Sequence, residues 1–323
     1  MIKKIKQKKY LILPFIVTVI FICYISFYHN KKDYTSNFFS LDTLVNIKIS
    51  ENYTSDLKDK ITRYNSMLDN YNQNSTLYKL NLEKELECPK DLIEIIANTN
   101  RLSDIYGYDV DISSGALTKL WSIEYIEKYG LPTENRLKEI LKTINKKNIK
   151  IENDKINLLN NAEIDLGSVA KGYILDKLYD FCIEKNLDYC IVSFGSSSLL
   201  YSKSEKQFNI QIKDPYSQGV FGEVKTNFNF VSTAGTYERF SKVDNKNYHH
   251  IIDLKTGTPS KSNLTSVTVL CNNGLMSDFL STFILLKGEE NLNDYLNIDD
   301  YKVVAINNKN EVFFSEGLNF IKK

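Results

Sequence analysis

Residues 163–173 have the pattern of a strand end, a glycine turn and a helix start, an arrangement that can hold a phosphate group. Residues 163–166 can end a strand, Gly167 permits a tight turn, and Ser168 is a good helix-capping residue. Backbone N–H groups at a helix N-terminus attract anions. Lys171 would lie in the first helical turn, where the helix dipole disfavours a cation, which indicates an anionic ligand nearby. The alternative is an ordinary strand-to-helix connection with a solvated lysine.

A carboxylate and a hydroxyl that could bind a cation occur further along the chain. Residues 275–287 predict a helix that ends at Gly288, and Asp278 and Thr282 are four residues apart within it. Residues at this spacing share one helical face. Their oxygen atoms could hold a hard cation together. The alternative is a solvated pair without a ligand.

Two adjacent histidines, His249 and His250, supply a possible proton acceptor. The only other histidine is His29, so any histidine chemistry depends on this pair. The pair is followed by a short strand and a glycine-proline turn at residues 251–259. The alternative is that both rings only form hydrogen bonds within a turn.

Composition excludes several other classes of function. Hydrophobic residues make up 42% of the 323 residues, which supports a packed core, and the net charge of +1 gives no indication of nucleic-acid binding. The five cysteines contain no CxxC pair and no Cys/His cluster with zinc spacing. We interpret the last four as buried apolar residues, although a Cys182–Cys190 disulfide stays open.

The N-terminus predicts a membrane anchor. Residues 1–9 carry five lysines, and residues 10–28 contain no charge and are long enough to span a bilayer. The basic flank should stay in the cytoplasm, which places the remainder outside the membrane. Residues 29–36 are then a polar linker, and residues 37–323 form one folded domain.

Two alternatives to an uncleaved anchor are weaker. A cleaved signal peptide needs small residues at a cleavage site, and none is well placed. Lipidation at Cys23 needs a small residue before it, whereas this chain has Ile22.

The elements that must position these side chains alternate between strands and helices without an obvious repeat. Periodicity predicts strands or hairpins at 37–50, 149–159, 189–194, 199–201, 208–213, 228–231, 265–270, 302–306 and 312–314. It predicts helices at 58–67, 91–103, 118–129, 134–144, from 170 onward, and at 275–287. We therefore expect an α+β fold with a mixed or antiparallel sheet and packed helices, after a single membrane anchor.

Seven segments, taken in order, resemble the ApbE family of FAD:protein FMN transferases from about residue 39 to the C-terminus. They are Leu41-Asp42-Thr43, Asp109-Val110-Asp111 with Gly115 and Trp121, Asp165-Leu166-Gly167 with Ala170-Lys171-Gly172-Tyr173, Ser232-Thr233-Ala234-Gly235, Tyr237-Glu238-Arg239, His250-Ile251-Ile252-Asp253 with Thr256-Gly257 and Pro259, and Asp278 with Ser281-Thr282. No single segment is decisive, but their combination and order are specific. This chain departs from the family pattern at Ser122, Ser168, Ser196 and Ser277, which puts substrate detail in doubt more than the reaction.

The resemblance implies an enzyme outside the cytoplasmic membrane that cleaves FAD, releases AMP and attaches FMN to a threonine hydroxyl of a target protein. It implies Mg²⁺ bound by the side chains of Asp278 and Thr282 and by a backbone carbonyl at Ser168. It also assigns contacts with FAD to Leu41, Tyr71, Asp109, Val110, Asp111, Asp165, Lys171 and Ile252.

Three points stay open from the sequence. The base that takes the proton of the acceptor threonine could be His250 or Asp278, with a slight preference for His250 because a metal-bound carboxylate is a poorer base. The chain could instead bind FAD without transferring FMN. It could also hydrolyse FAD to FMN and AMP without a protein acceptor.

Overall fold

The computed structural model describes residues 33–323. The predicted basic segment at 1–9 and anchor or signal segment at 10–28 lie outside them. Within the described part, no helix is long and apolar enough to cross a membrane. The first strand begins at Tyr34, inside the segment predicted as a linker, so the folded domain begins at least three residues before the predicted boundary.

Nine α-helices and eighteen strands form between residues 33 and 323. The helices are α1 (Thr54–Leu68), α2 (Thr76–Glu83), α3 (Lys90–Tyr106), α4 (Gly115–Leu120), α5 (Ile123–Tyr129), α6 (Glu134–Leu141), α7 (Ala170–Glu184), α8 (Gly274–Lys287) and α9 (Asn293–Leu296). The strands are β1 (Tyr34–Ser40), β2 (Thr43–Ile49), β3 (Glu85–Glu87), β4 (Ile149–Glu152), β5 (Lys155–Leu158), β6 (Tyr189–Phe194), β7 (Ser197–Ser202), β8 (Phe208–Lys213), β9 (Val220–Thr226), β10 (Phe230–Gly235), β11 (Phe240–Val243), β12 (Lys246–His249), β13 (Ile252–Asp253), β14 (Thr258–Pro259), β15 (Leu264–Cys271), β16 (Tyr301–Asn307), β17 (Val312–Phe314) and β18 (Asn319–Lys322).

The central element is an eight-stranded sheet in the order β1-β2-β6-β7-β10-β15-β16-β17, and its strand pairs are antiparallel. One face packs against α1, α7 and α8 in the main apolar core. The opposite face packs against the three-stranded sheet β18-β9-β8. Consecutive residues such as Val269 and Leu270 enter different cores because side chains alternate along a strand.

A third apolar cluster forms a smaller layer from α4, α5, α6 and the β11–β14 region. Trp121 and Ile252 are buried in it, and the Trp121 indole N–H donates to the Gly257 carbonyl at 2.8 Å. This cluster ties the segment after His250 to the segment after Gly115. The expected α+β class with antiparallel strands and packed helices is therefore confirmed for the described residues.

Local structure differs from the predictions at several places, three of which lie in or beside the segments that carry the family resemblance. The strand predicted at 37–50 is a hairpin, because Leu41 and Asp42 both adopt positive φ angles (52° and 55°) and reverse the chain. The helix predicted at 118–129 breaks at Ser122, whose side chain caps α5. Ser168 does not cap α7: the helix begins after Val169, and no side chain caps it.

Candidate functional site

Helices α7 and α8 approach each other closely at a seam where Gly172 faces Gly274. A Cβ atom on Gly172 would lie 2.1 Å from the Gly274 carbonyl oxygen, so only glycine permits this packing. The seam brings Asp278 against the first turn of α7, with its Cβ atom 3.0 Å from the same added Cβ position.

Asp278 is buried in this seam, and both of its carboxylate oxygens have protein donors. Oδ2 accepts the Gly172 N–H at 2.7 Å, and Oδ1 accepts the Ser197 hydroxyl at 2.6 Å. Gly172 is the third residue of α7, in the first turn, where the N–H groups have no acceptor within the helix, and the Ser168 carbonyl lies four residues earlier, before the helix begins. Within residues 33–323 that carbonyl receives no hydrogen bond. The Asp278 carboxylate therefore supplies the acceptor that this N–H lacks, and the turn before the helix keeps an unpaired carbonyl.

Thr282 follows Asp278 by one turn of α8, as the spacing predicted. Its hydroxyl forms no hydrogen bond with the described residues. A carboxylate, a hydroxyl and an unpaired carbonyl are all hard oxygen donors, so this set fits Mg²⁺ better than a soft transition metal. No cluster of three or more His, Cys, Asp or Glu side chains suitable for a metal occurs in the described chain.

The sequence analysis missed Asp176, which fixes the start of α8. Its two carboxylate oxygens accept the N–H groups of Gly274 at 2.6 Å and Leu275 at 2.8 Å. Burial raises the pKa of Asp176 to about 6, even though these N–H groups favour the charged form. The partners are about a hundred residues away in the chain, so no local pattern could have indicated this role.

Asp165 braces the turn before α7 from two sides. Oδ1 accepts the Gly167 N–H at 2.7 Å, and Oδ2 accepts the Thr118 hydroxyl at 2.6 Å. This pairing ties α4 to the turn. Lys171, in the first turn of α7, is half-buried and forms no ion pair with a carboxylate of the described residues. Its free ammonium group suits an anionic ligand.

His250 lies near Lys171 and has one ring nitrogen available as a base. Its Nδ1 lies 3.1 Å from the Arg239 carbonyl oxygen, which can only accept, so Nδ1 carries the proton and Nε2 keeps its lone pair. Solvent reaches the ring, yet surrounding protein atoms partly desolvate it. Desolvation, together with the charges of Arg239 and Lys171, lowers the pKa of His250, so the ring is neutral at pH 7.

His249, by contrast, uses both of its ring nitrogens in hydrogen bonds that stabilise the turn. Its Nε2 lies 3.0 Å from the Ser260 carbonyl oxygen, and its Nδ1 accepts the Ile251 N–H at 3.3 Å. Burial lowers the pKa of His249. Of the adjacent pair, therefore, only His250 presents a free ring nitrogen.

The tip of the β1–β2 hairpin and the loop carrying Tyr71 form the outer side of the site. Asp42 lies 3.8 Å from the Arg239 guanidinium. Tyr71 is 57% exposed, and desolvation and the negative charges of Asp165 and nearby acids, Asp42 included, raise its pKa. Tyr71 thus lies close to the residues that border Lys171 and His250, where its ring is free to stack on a planar ligand.

Two of the remaining predicted FAD contacts, Asp109 and Asp111, line a depression of about 520 Å³ together with Lys255 and other residues. Asp109 forms ion pairs with Lys287 at 2.8 Å and Lys255 at 3.3 Å. Burial opposes ionisation of Asp109, but these two lysines outweigh it and lower its pKa. Asp111 accepts the N–H and hydroxyl of Ser113, at 2.9 and 2.7 Å.

Val110 and Ile252 are buried among apolar side chains, in the main core and in the Trp121 cluster respectively. Any contact of these two residues with FAD would therefore involve their backbone. Asp111 also accepts the Lys146 N–H at 2.9 Å, so its carboxylate holds two loops together. The side chains of Val110, Asp111 and Ile252 therefore support the shape of the site through contacts within the protein.

Comparison with known proteins gives a consistent result. A sequence model described as the ApbE family matches residues 41–306. The chain is 28% identical over 185 residues to a protein from Klebsiella pneumoniae named FAD:protein FMN transferase, covering 56% of this chain and 57% of that protein. It is 24% identical over 296 residues to a protein of the same name from Haemophilus influenzae, covering 87% and 84%.

A solved structure shares the fold. The crystal structure of an ApbE protein from Thermotoga maritima superposes with a TM-score of 0.80 at 23% identity, covering 88% of this chain and 97% of that one. At this identity the likeness establishes the fold alone.

Proposed function

The chain belongs to the ApbE family, and from this premise we propose that it transfers FMN from FAD to a threonine hydroxyl of a target protein and releases AMP. The relatives' name supports flavin transfer. The observation that carries the proposal is the Asp278 carboxylate clamped against the first turn of α7, next to an unpaired carbonyl and an unpaired lysine.

The reaction exchanges the phosphoanhydride bond of FAD for a phosphoester bond to threonine. The threonine oxygen attacks the phosphorus of the FMN half of FAD, and the bond between that phosphorus and the bridging oxygen breaks. The bridging oxygen leaves with AMP, and the threonine proton must pass to a base. Catalysis of this kind relies mainly on positioning and on neutralising negative charge.

His250 is the better candidate for the base. Its Nε2 lone pair is free, whereas both oxygens of Asp278 already accept hydrogen bonds. Lys171 and Arg239 lie beside the ring and would neutralise charge on the pyrophosphate. Tyr71, exposed on the other side, would stack on the isoalloxazine or the adenine.

The oxygen donors fit Mg²⁺. Asp278, Thr282 and the Ser168 carbonyl would hold the ion, with Ser197 and Gly172 orienting the carboxylate. Bound there, Mg²⁺ would neutralise charge on the pyrophosphate and on departing AMP. Losing a hydrogen bond that orients a metal ligand typically lowers metal affinity by about 10–100-fold, so Ser197 belongs to the proposed site.

We further propose that residues 10–28 anchor the chain in the cytoplasmic membrane, with the catalytic domain outside. The uncharged segment and its basic flank support this orientation. Treating intact cells with protease tests it: the domain should be digested without breaking the membrane. Protection of the domain in intact cells and digestion only after lysis would contradict the proposal.

The decisive assay mixes the full chain with FAD, Mg²⁺ and candidate acceptor proteins, then measures intact masses and free AMP. A mass gain equal to FMN on one threonine, with AMP released in equal amount, is the expected result. FMN and AMP free in solution with every acceptor unmodified would indicate hydrolysis instead. Bound but intact FAD would indicate a binding protein.

Asp278→Asn tests the metal site without collapsing the seam. An asparagine oxygen can still accept the Gly172 N–H, and its NH₂ can donate to Ser197, whose hydroxyl can turn to accept. Alanine would orphan both buried donors at a cost of about 1–3 kcal/mol each. We expect Asp278→Asn to keep the thermal midpoint within a few degrees and to lose transfer by about a thousandfold or more. Full activity at ordinary Mg²⁺ would exclude Asp278 as a ligand.

A further inference from the structure

The outward face of the β1–β2 hairpin is polar along most of its length and becomes apolar at its tip. Along most of its length this face presents exposed polar side chains: Thr35, Asn37, Asn46 and Lys48. At the tip it presents Phe39 and Leu44, which lie directly opposite each other across the two strands. Phe39 is 72% exposed and Leu44 is 53% exposed. Two large apolar side chains side by side on an otherwise polar face indicate a contact surface.

The turn that carries this pair is held in a strained conformation. Leu41 and Asp42 both have positive φ, a region that costs an L-residue other than glycine, asparagine or aspartate about 1–2 kcal/mol. Two-residue turns of this type usually contain Asn-Gly. Strained backbone persists where its surroundings fix it, and such positions concentrate at binding sites. Here Leu41 packs partly against the main core, and Asp42 pairs with Arg239.

The tip is connected by side-chain contacts to the proposed catalytic cleft, the region that contains Lys171, His250 and Tyr71. Arg239 contacts Asp42 through its side chain and His250 through its carbonyl oxygen. Phe240, the next residue, is 42% exposed. Tyr71 is exposed near Asp42. One ion pair and one hydrogen bond thus separate the apolar tip from the candidate base.

We propose that the apolar pair at this hairpin tip, Phe39 and Leu44, is the docking surface for apolar residues of the acceptor protein beside its threonine. The inference rests on the proposed function. FAD would occupy the site that contains Lys171 and Tyr71. The acceptor protein therefore has to approach over the exposed residues that border this site, which form its rim. Its threonine hydroxyl then has to reach His250. Phe39 and Leu44 are the exposed apolar pair at the tip that the Asp42–Arg239 ion pair and the Arg239–His250 hydrogen bond connect to the candidate base.

The N-terminal segment of the same chain is a less suitable occupant. The chain enters β1 at Tyr34, and the strand rises about 20 Å from there to Ser40. The preceding segment therefore joins the hairpin at the end away from the tip, whereas the cleft lies at the tip itself.

Phe39→Ser with Leu44→Ser tests the proposal, using the full chain and the acceptor identified by mass in the assay above. Both side chains are mostly in solvent, so the variant should fold. We expect the KM for the acceptor to rise at least tenfold, with FAD affinity, measured by flavin fluorescence, unchanged. The matched control is Ile183→Ser on α7, also 53% exposed but outside the rim, which should leave the KM unchanged.

An unchanged KM in the double variant would overturn the docking proposal. So would a loss of chain self-association or of binding to anionic lipid vesicles with acceptor KM unchanged, since either would identify another occupant. Failure of the proposed function gives a different result, because the wild-type chain itself would then leave every acceptor unmodified.

Discussion

The α7–α8 seam and the hairpin tip are linked through Lys171, His250 and Arg239, but they are built in opposite ways. In the seam, Gly172 lets two backbones touch, and every carboxylate oxygen of Asp278 has a buried donor. At the tip, Leu41 adopts a conformation suited to glycine, and the nearest ion pair is exposed. The seam restricts the movement of the two helix backbones and of the Asp278 side chain, whereas the tip exposes apolar surface to solvent.

This difference matches the two demands of the proposed reaction. Charge neutralisation at a pyrophosphate needs oxygen atoms and N–H groups fixed in advance, because moving them during the reaction costs free energy. Recognition of a protein acceptor needs accessible surface instead. Substitutions in the seam should therefore alter folding and chemistry together, and substitutions at the tip should alter acceptor recognition with little effect on folding.

The largest effect should come from Gly172→Ala. The new Cβ atom would overlap the Gly274 carbonyl oxygen, and neither helix backbone can move without displacing Asp278. We expect the free energy of unfolding in urea to fall by about 3 kcal/mol. Gly219→Ala is the control, since the nearest atom to its Cβ is the Ser217 hydroxyl oxygen, 3.2 Å away. Equal stability of the two variants would mean that the seam is looser than the structure indicates.

A smaller, pH-dependent effect should come from Asp176→Asn. The pKa of Asp176 rises from 3.8 to about 6 on folding, so the folded chain holds this proton more tightly than the unfolded chain. Its stabilising contribution is therefore complete below pH 3.8 and is lost as pH rises through 6, an amplitude of about 3 kcal/mol at most. Asparagine does not titrate, so the wild type should lose stability relative to Asp176→Asn between pH 4 and 7.

Urea unfolding across that pH range measures this difference. Glu127→Gln, an exposed substitution on α5, controls for general charge effects. Parallel stability curves for wild type and Asp176→Asn would show that Asp176 is not desolvated in the folded chain.

The seam was partly predictable from the sequence, because its signals are local. The run from Asp165 to Lys171 and the four-residue spacing of Asp278 and Thr282 indicated a turn, a helix start and a shared helical face, and the structure has all three. The seam's supporting contacts were not predictable. Ser197 reaches Asp278 across 81 residues, and Asp176 reaches Gly274 across 98. No periodicity in a single sequence reports such pairs.

Leu41 and Tyr71, at the outer side of the site, were predictable as site residues only through the family resemblance. Leu41 has a side chain typical of a strand, and the residues next to it in the sequence do not indicate a positive φ angle. Tyr71 occurs in a polar loop, where an aromatic residue most often packs over its own turn. The resemblance assigned both to FAD, and those assignments stay predictions, as do the metal ligands and the base.

The smallest effect, and one of opposite sign to Gly172→Ala, should come from Asp42→Gly. Glycine is the preferred second residue of this turn type, so the substitution relieves local strain, while the exposed Asp42–Arg239 pair that it removes contributes little. We expect the free energy of unfolding to rise by about 0.5 kcal/mol, because the added freedom of glycine in the unfolded chain offsets part of the gain. Asp42→Asn is the control: it removes the charge but tolerates positive φ. A drop of more than about 1 kcal/mol in both variants would mean that the ion pair, and not the turn, holds the tip in place.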